Sequence, residues 1–514
     1  MTVLQRLLNP GRLFFLACVS LVIDSPAAEP VASRRPPNIV FILADDLGYR
    51  ELGCFGQQKI QTPHLDRLAA QGMKLTQHYS GNAVCAPSRC VLMTGQHPGH
   101  TWIRNNSEVA PEGQRPIPAV TFTLAEVLKQ HGYVTGAFGK WGLGAPGSEG
   151  DPLQQGFDVF FGYNCQRHAH SYYPDYLWSN RERIPLNNSP PVPGHAKLPE
   201  GADPTDPQNY AAFQGREYAP DRIRDEALRF IREHREQPFF LYVPSTLPHV
   251  ALHVPDADVQ RYRELGWEDP PFTAERGGYT PHFTPRAAYA AMISRLDSDV
   301  GAILRTLDEQ SLTDQTLVIF SADNGTTHLQ EEVDAAFFAS VGELRGLKGS
   351  LYEGGVRVPT IVRFPGVIPE GTESDFVSGF EDWLPTLAAV AAPAAQLMPS
   401  IDGINLLPTL QGKPQAARDY LYREFPGYGG QQSVRRGPWK LIRQNLTRQQ
   451  LPPELYHVER DPSELVNEAQ RHPEVVQELE KLMTRARTPS TLFPLVPVDP
   501  SGAEKGKKKG GGNQ

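Results

Sequence analysis

Asn38-Ile39-Val40-Phe41-Ile42-Leu43-Ala44 is a nearly unbroken apolar run that ends in Asp45-Asp46, and Thr316-Leu317-Val318-Ile319-Phe320-Ser321-Ala322 repeats the pattern and ends in Asp323-Asn324. Runs of this length without polar alternation predict strands buried on both faces, as in parallel sheets covered by helices. Three further candidate strands, Tyr133 to Phe138, Pro238 to Pro244 and Thr360 to Phe364, alternate with helix signals. Those signals are Thr62-Pro63 ahead of Leu65 and Leu68, a capping box of Thr123 and Glu126, and an amphipathic stretch from Ala287 to Leu307. Strands alternating with helices imply an α/β domain with a large, mostly parallel sheet. Such sheets bind ligands beyond the carboxyl ends of their strands, so both acidic pairs fall where a site is expected.

The chain has 514 residues, enough for more than one domain. Arg6 and Arg12 precede or open the apolar run Leu13 to Ile23, and Ser25-Pro26-Ala27-Ala28 follows it. Residues 1–28 read as a secretory signal too short to span a bilayer, with cleavage after Ala27 or Ala28; Phe15-Leu16-Ala17-Cys18 is a poor lipoprotein box. The expectation is an exported protein, periplasmic or extracellular, with no integral membrane span. Residues 29–37 read as a linker and 38–410 as the main domain. Residues 411–490 read as a smaller subdomain, with short strands Trp439 to Ile442 and Leu455 to Val458 and a last helix from Glu474 to Arg487. The Pro-, Gly- and Lys-rich stretch 491–514 is expected to be disordered. Loss of Arg6, Arg12 and Asp24 with the signal moves the formal charge from -8 to -9, which argues against a nucleic-acid partner. Cys54, Cys85, Cys90 and Cys165 match neither a zinc spacing nor a C-x-x-C pair, and their pairing is not readable from sequence.

The segment Cys85-Ala86-Pro87-Ser88-Arg89, followed by Leu92 and Thr94-Gly95, has the spacing C-x-P-S-R-x-x-L-x-T-G and resembles the signature of the type I sulfatases. Pro87 and Ser88 read as a helix start, which puts Cys85 just before a helix N-terminus where backbone N–H groups favour an anion. The resemblance implies that a separate maturation enzyme oxidises Cys85 to formylglycine, whose hydrate supplies one hydroxyl to attack sulfur and a second to expel sulfate. It also implies an alkaline-phosphatase-like fold, with a large mixed sheet flanked by helices and a small C-terminal sheet-and-helix subdomain.

Asp45, Asp46, Asp323 and Asn324 offer hard oxygen ligands suited to calcium, with magnesium the alternative. Together with the cysteine motif they resemble the family's metal site, completed by residue 85. Gly139-Lys140-Trp141-Gly142-Leu143-Gly144 resembles the family's G-K-W-H-L-G element, in which lysine and histidine both touch the sulfate; here Gly142 replaces the histidine. Arg167-His168-Ala169-His170, followed by Tyr172 and Tyr173, offers replacement imidazoles, and His170 is the candidate. Pro248-His249 resembles the family's P-H element, implying His249 as general acid with a pKa near neutrality. Leu344-Arg345-Gly346-Leu347-Lys348 and Tyr352 to Pro359 resemble a further block, with Lys348 as the second lysine on the sulfate and Glu353 and Arg357 as an ion pair. Arg89 is expected to bind the formylglycine and the metal carboxylates.

These matches imply an exported sulfuric-ester hydrolase acting on a carbohydrate sulfate, galactose or N-acetylgalactosamine sulfate being suggested by the G-K-W-G-L-G variant. His168 to Tyr173 and Tyr422 to Phe425 through Arg435-Arg436 offer aromatic, basic and acidic groups to a sugar. The alternatives are a phosphate or phosphonate monoester hydrolase and a noncatalytic sulfoglycan-binding protein. A single set of metal ligands favours sulfate over the first; the second is motivated by Gly142.

Overall fold

The computed structural model describes residues 35–110, 112–392, 400–449 and 451–499. Residues 1–28, read as a signal, most of the linker and the Lys/Gly-rich end from residue 500 lie outside them. At the centre of a ten-stranded sheet, Asn38–Ala44 pairs in parallel with Thr316–Ala322 on one side and Phe239–Pro244 on the other. Val134–Lys140 and Val159–Tyr163 continue the parallel ladder. Antiparallel Tyr176–Ser179 and Glu182–Pro185 finish that edge. On the other side Thr360–Arg363 is antiparallel to both Thr316–Ala322 and Met73–Leu75, so the sheet is mixed. Every residue of the two apolar runs is buried, as their lack of alternation demands.

Two groups of helices flank the sheet. Pro63–Ala70, Ala219–Glu233 and Asp256–Arg263 pack on the long helix Pro285–Glu309, while Cys85–Thr94 packs with Leu124–Gln130 and Trp383–Ala391. The Thr123 and Glu126 capping box forms as read. Cys85–Thr94 is buried along its whole length, and it begins at Cys85 itself, two residues earlier than Pro87 suggested.

The C-terminal part is a four-stranded antiparallel sheet, Leu421–Phe425, Gln431–Arg436, Trp439–Arg443 and Glu454–His457, with helix Pro473–Arg485 against it. Tyr422, Val434, Leu441, Leu455, Leu479, Leu482 and Met483 form its small core. Buried ion pairs join it to the larger part. Arg423 forks onto Glu381 at 3.0 Å through both amino groups, Arg104 meets Glu424 at 2.7 Å, and Lys440 meets Glu353 at 2.8 Å. Tyr422 to Phe425 therefore face inward, and the expectation that they contact a sugar is corrected: Arg423 and Glu424 are consumed by partners a buried charge requires. Likewise Glu353 pairs first with Lys440, with Arg357 farther off at 3.7 Å.

Residues 491–499, read as the start of a disordered tail, are packed. Leu495 is fully buried, and the Asp499 carboxylate receives both amino groups of Arg487 at 2.7 and 2.8 Å. Local composition did not register that long-range pair. Cys54, Cys85, Cys90 and Cys165 are all free thiols. Among the described residues no helix is long and apolar enough to cross a membrane.

Candidate active site

Parallel register aligns Ala44 with Ala322, so the residues after each strand meet: Asp46 N–H donates to Asp323 Oδ1 at 3.1 Å. Cys85, at the first position of its helix, places Sγ 3.3 Å from Asp45 Oδ1 and 3.9 Å from Asp46 Oδ1. Two lysines close on this group. Lys140, the last residue of its strand, puts Nζ 2.6 Å from Asp45 Oδ2; Lys348 puts Nζ 2.7 Å from Asp46 Oδ2 and 3.6 Å from Cys85 Sγ. Arg89, one helical turn beyond Cys85, donates through Nε and Nη2 to Asp323 Oδ2 at 3.1 and 2.8 Å. His249 Nε2 lies 3.6 Å from Asp46 Oδ2. All the expected site residues except His170, which lies behind His249, thus converge on one buried cluster.

Three carboxylates face three fixed cations, and their protonation follows from that balance. Burial alone raises the pKa of Asp45, but the permanent cations Lys140, Arg89 and Lys348 outweigh it and hold the carboxyl well below the usual range. Asp323 is raised to about 7 by burial and by Asp45, with Arg89 opposing. Burial and Asp45 push the Cys85 thiol up, so the unmodified residue is a poor thiolate nucleophile. Burial disfavours charge on Lys348, yet Asp46 overcomes it and raises the pKa well above the ordinary lysine value. His249 departs from expectation: burial and Lys348 lower its pKa well below 6.5, so it is neutral at pH 7. Its Nδ1 donates to the Val250 carbonyl, leaving the Nε2 lone pair facing Asp46.

The donor set fits a hard divalent cation. Asn324 Nδ2 donates to Asp46 Oδ1 at 2.7 Å, which leaves Asn324 Oδ1 buried with no partner in the protein. An acceptor-only oxygen beside Asp45 and Asp46 has the chemistry of a cation ligand. The ligand atoms of Asp45, Asp46, Cys85 and His249 lie within 4.8 Å of one another. Asp323 borders the group but gives one oxygen to Arg89 and the other to the Asp46 N–H.

Of the two imidazoles offered in place of the missing histidine, only His170 reaches the site. It stacks on His249 with centroids 5.2 Å apart and planes at 10°. His168 instead packs on Tyr163 and Tyr176. The His170 tautomer follows from its neighbours. His195 Nδ1 must donate to the Gly278 carbonyl at 2.9 Å, so its Nε2 accepts from His170 Nδ1 at 2.8 Å. His170 Nε2 is left as an acceptor, 3.4 Å from the Tyr279 hydroxyl. Tyr172 and Tyr173 are buried, Tyr172 donating to main-chain carbonyls of Thr246 and His249, and so are not sugar contacts.

A cavity of about 280 Å³ opens onto Cys85, Asp46, Lys348, His249 and His170. Its walls include Asn106, Gln114, Gln166, Tyr279, His328 and Tyr428, none of which the sequence reading singled out. They come from separate loops with no common motif; only the departure at Gly142 hinted that another residue was needed nearby. A larger cleft of about 650 Å³, lined by Tyr49, Arg50, Glu343 and Arg357, contains none of the cluster.

Comparison with known proteins agrees with this geometry. The sulfatase family profile matches residues 37–393, and the profile of the N-sulphoglucosamine sulphohydrolase C-terminal region matches 347–489. The chain is 31% identical to an N-acetylgalactosamine-6-O-sulfatase of Bacteroides thetaiotaomicron, covering 89% of this chain and 94% of the relative. It is 34% identical to human arylsulfatase A, covering 88% of each. Its fold is shared with the crystal structure of Ps i-CgsB bound to k-i-k-neocarrahexaose, at a TM-score of 0.73, 24% identity and coverage of 93% and 98%. With its cysteine at a helix start against a paired-carboxylate cluster that two lysines close, the chain belongs to the sulfatase family and is a sulfuric ester hydrolase.

Proposed function

We propose that the protein is an exported carbohydrate sulfatase, residues 1–28 being its signal, and that its substrate is a galactose or N-acetylgalactosamine sulfate. The observation that carries the reading is the unpartnered Oδ1 of Asn324, whose Nδ2 is bonded to Asp46, in a cluster where Cys85 meets Lys348 and Asp45 meets Lys140. The N-acetylgalactosamine-6-O-sulfatase relative supports the choice of sugar. Oxidised to formylglycine by a maturation enzyme, residue 85 would supply a hydroxyl nucleophile; with it Asp45, Asp46, Asp323 and Asn324 would hold calcium, or alternatively magnesium, which would supply Lewis acidity.

The remaining chemistry belongs to side chains present in the chain. Lys140 and Lys348 set two preorganised cations on the sulfate oxygens, in a buried place where such charges act with little screening. Arg89 is given over to Asp323 and to the Lys140 carbonyl, and it keeps Asp323 oriented beside Asp46. His249 is the proton donor to the leaving oxygen. Its low pKa in the free protein means that it takes up this proton when a substrate anion offsets the charge of Lys348. His170, stacked behind it with Nε2 an acceptor facing the Tyr279 hydroxyl, supplies the second imidazole.

The test is sulfate release from monosulfated sugars by protein co-produced with a maturation enzyme, with Cys85→Ala as blank and the Cys85 peptide weighed by mass spectrometry. Release from a galactose or N-acetylgalactosamine sulfate is the expected result. Confirmed oxidation of Cys85 with no release from any sulfated sugar, but turnover of matched phosphate esters, contradicts it.

A further inference from the structure

Gly142 has φ of 79°, in the left-handed region, and a Cβ built there meets Gln166 at once, 2.2 Å from Nε2 and 2.8 Å from Oε1. Gln166 thus fills the space that a side chain at position 142 would need. The parallel ladder explains the meeting. Lys140 pairs with Tyr163, and beyond the strands Trp141 N–H donates to the Tyr163 carbonyl at 2.9 Å and Gly142 N–H to that of Asn164 at 3.1 Å. The two chains run side by side until residue 166 turns over residue 142.

Gln166 is 5% exposed, lines the cavity that holds Cys85, Lys348 and His249, and has no protein partner for either Nε2 or Oε1. A buried amide with a purely structural task is normally paired. Gln431 in this protein shows the contrast, donating to the Gly349 carbonyl at 2.7 Å and accepting from Leu351 N–H at 3.1 Å. Leaving donor and acceptor unmade is costly in the folded state; buried Asn164 shares that feature, but of the two only Gln166 lines the cavity.

We propose that Gln166 is a substrate-binding residue that takes the place of the family's histidine, donating an N–H to a nonbridging oxygen of the sulfate ester and taking no part in proton transfer. An amide has two donors and one acceptor and does not titrate in the working range, so it can hold the anion but cannot carry the proton an imidazole would. Binding and proton handling, joined in one residue where histidine stands, are here divided between Gln166 and the imidazoles of His249 and His170.

This rests on the Cys85 cavity being the sulfate site, and the experiment separates the two. Matured protein with confirmed oxidation of Cys85 is compared with Gln166→Met, which keeps length and volume without polar atoms, and with Gln166→Glu. Read-outs are the inhibition constant of inorganic sulfate, KM and kcat on a sulfated monosaccharide across pH, and Tm without ligand. Loss of one hydrogen bond to a charged group predicts sulfate affinity lowered about tenfold or more in Gln166→Met. Tm should be unchanged or higher and the pH profile unmoved; Gln166→Glu, which sets a carboxylate against the anion, should bind sulfate more weakly still. Unchanged sulfate affinity in Gln166→Met, or a fall in Tm that accounts for the lost activity, overturns the assignment. A moved pH limb would instead make Gln166 part of the proton path and also overturn it. If the wild-type protein, fully oxidised at Cys85, binds no sulfate at all, the sulfate site itself is wrong and the role of Gln166 falls with it.

Discussion

Replacing Lys140 with methionine tests the site's charge balance and the proposed metal in one experiment. Lys140 Nζ and Asp45 Oδ2 are 2.6 Å apart, with side chains 1% and 0% exposed. At an effective dielectric constant near 20, Coulomb attraction at that distance is about 6 kcal/mol before desolvation is charged against it. The relevant quantity is smaller, because Lys140→Met leaves Asp45 behind with Arg89 at 3.5 Å as its nearest remaining cation. Breaking one side of a buried pair costs about 3–5 kcal/mol. A divalent ion on Asp45 would supply the missing positive charge, so the loss in calcium should be less than half of that in chelator. Urea unfolding of wild type and variant, each in EDTA and in excess calcium, gives the four numbers needed. Equal losses with and without calcium would refute Asp45 as a metal ligand, and no loss in EDTA would refute the buried-pair argument. If Lys140 is the preorganised cation on the sulfate that the proposed mechanism makes it, turnover should fall about 10²–10³-fold in either case.

The two candidate imidazoles separate cleanly: His170→Ala should lower turnover far more than His168→Ala, because only His170 lines the cavity and stacks on His249. Equal small effects in steady-state assays would remove His170 from the mechanism. Burial raises the pKa of Glu51 from 4.5 to about 7, against hydrogen bonds from Gly48 N–H and the Tyr289 hydroxyl that oppose the rise. Its protonated form is favoured by folding, so its contribution is complete below pH 4.5 and is lost as pH rises through about 7. Wild type should therefore lose up to about 3 kcal/mol relative to Glu51→Gln between pH 4.5 and 8. Parallel stability curves for the two proteins over that range, followed by denaturant melts, would contradict the assignment.

Much of the fold could be read locally. The runs 38–44 and 316–322 carry their two-sided burial in their composition, and the capping box at Thr123 marks its helix through contacts only three residues apart. The antiparallel edge was less legible, because Met73–Leu75 and Tyr176–Ser179 are short and their pairing depends on distant partners. The start of the tail was misjudged for the same reason: Asp499 is ordered by Arg487, and a composition window registers no ion pair. Tyr422 to Phe425 have the residue types of a sugar site, yet a buried Glu381 claims Arg423 and turns the strand inward.

Residue type at fixed short spacings was enough to single out Cys85, Lys140, His249, Lys348 and the acidic pairs, the groups on which the proposed mechanism rests. Tertiary structure decided how those groups behave. Burial drives the Cys85 thiol up and His249 down, while the neighbouring lysines keep Asp45 ionised. The fold also brings Gln166 over Gly142 to line the cavity, and His195 onto His170 behind it, across gaps that carry no sequence signal. Local pattern records what a residue can do; pKa, tautomer and contact depend on the low-dielectric neighbourhood that only the folded chain creates.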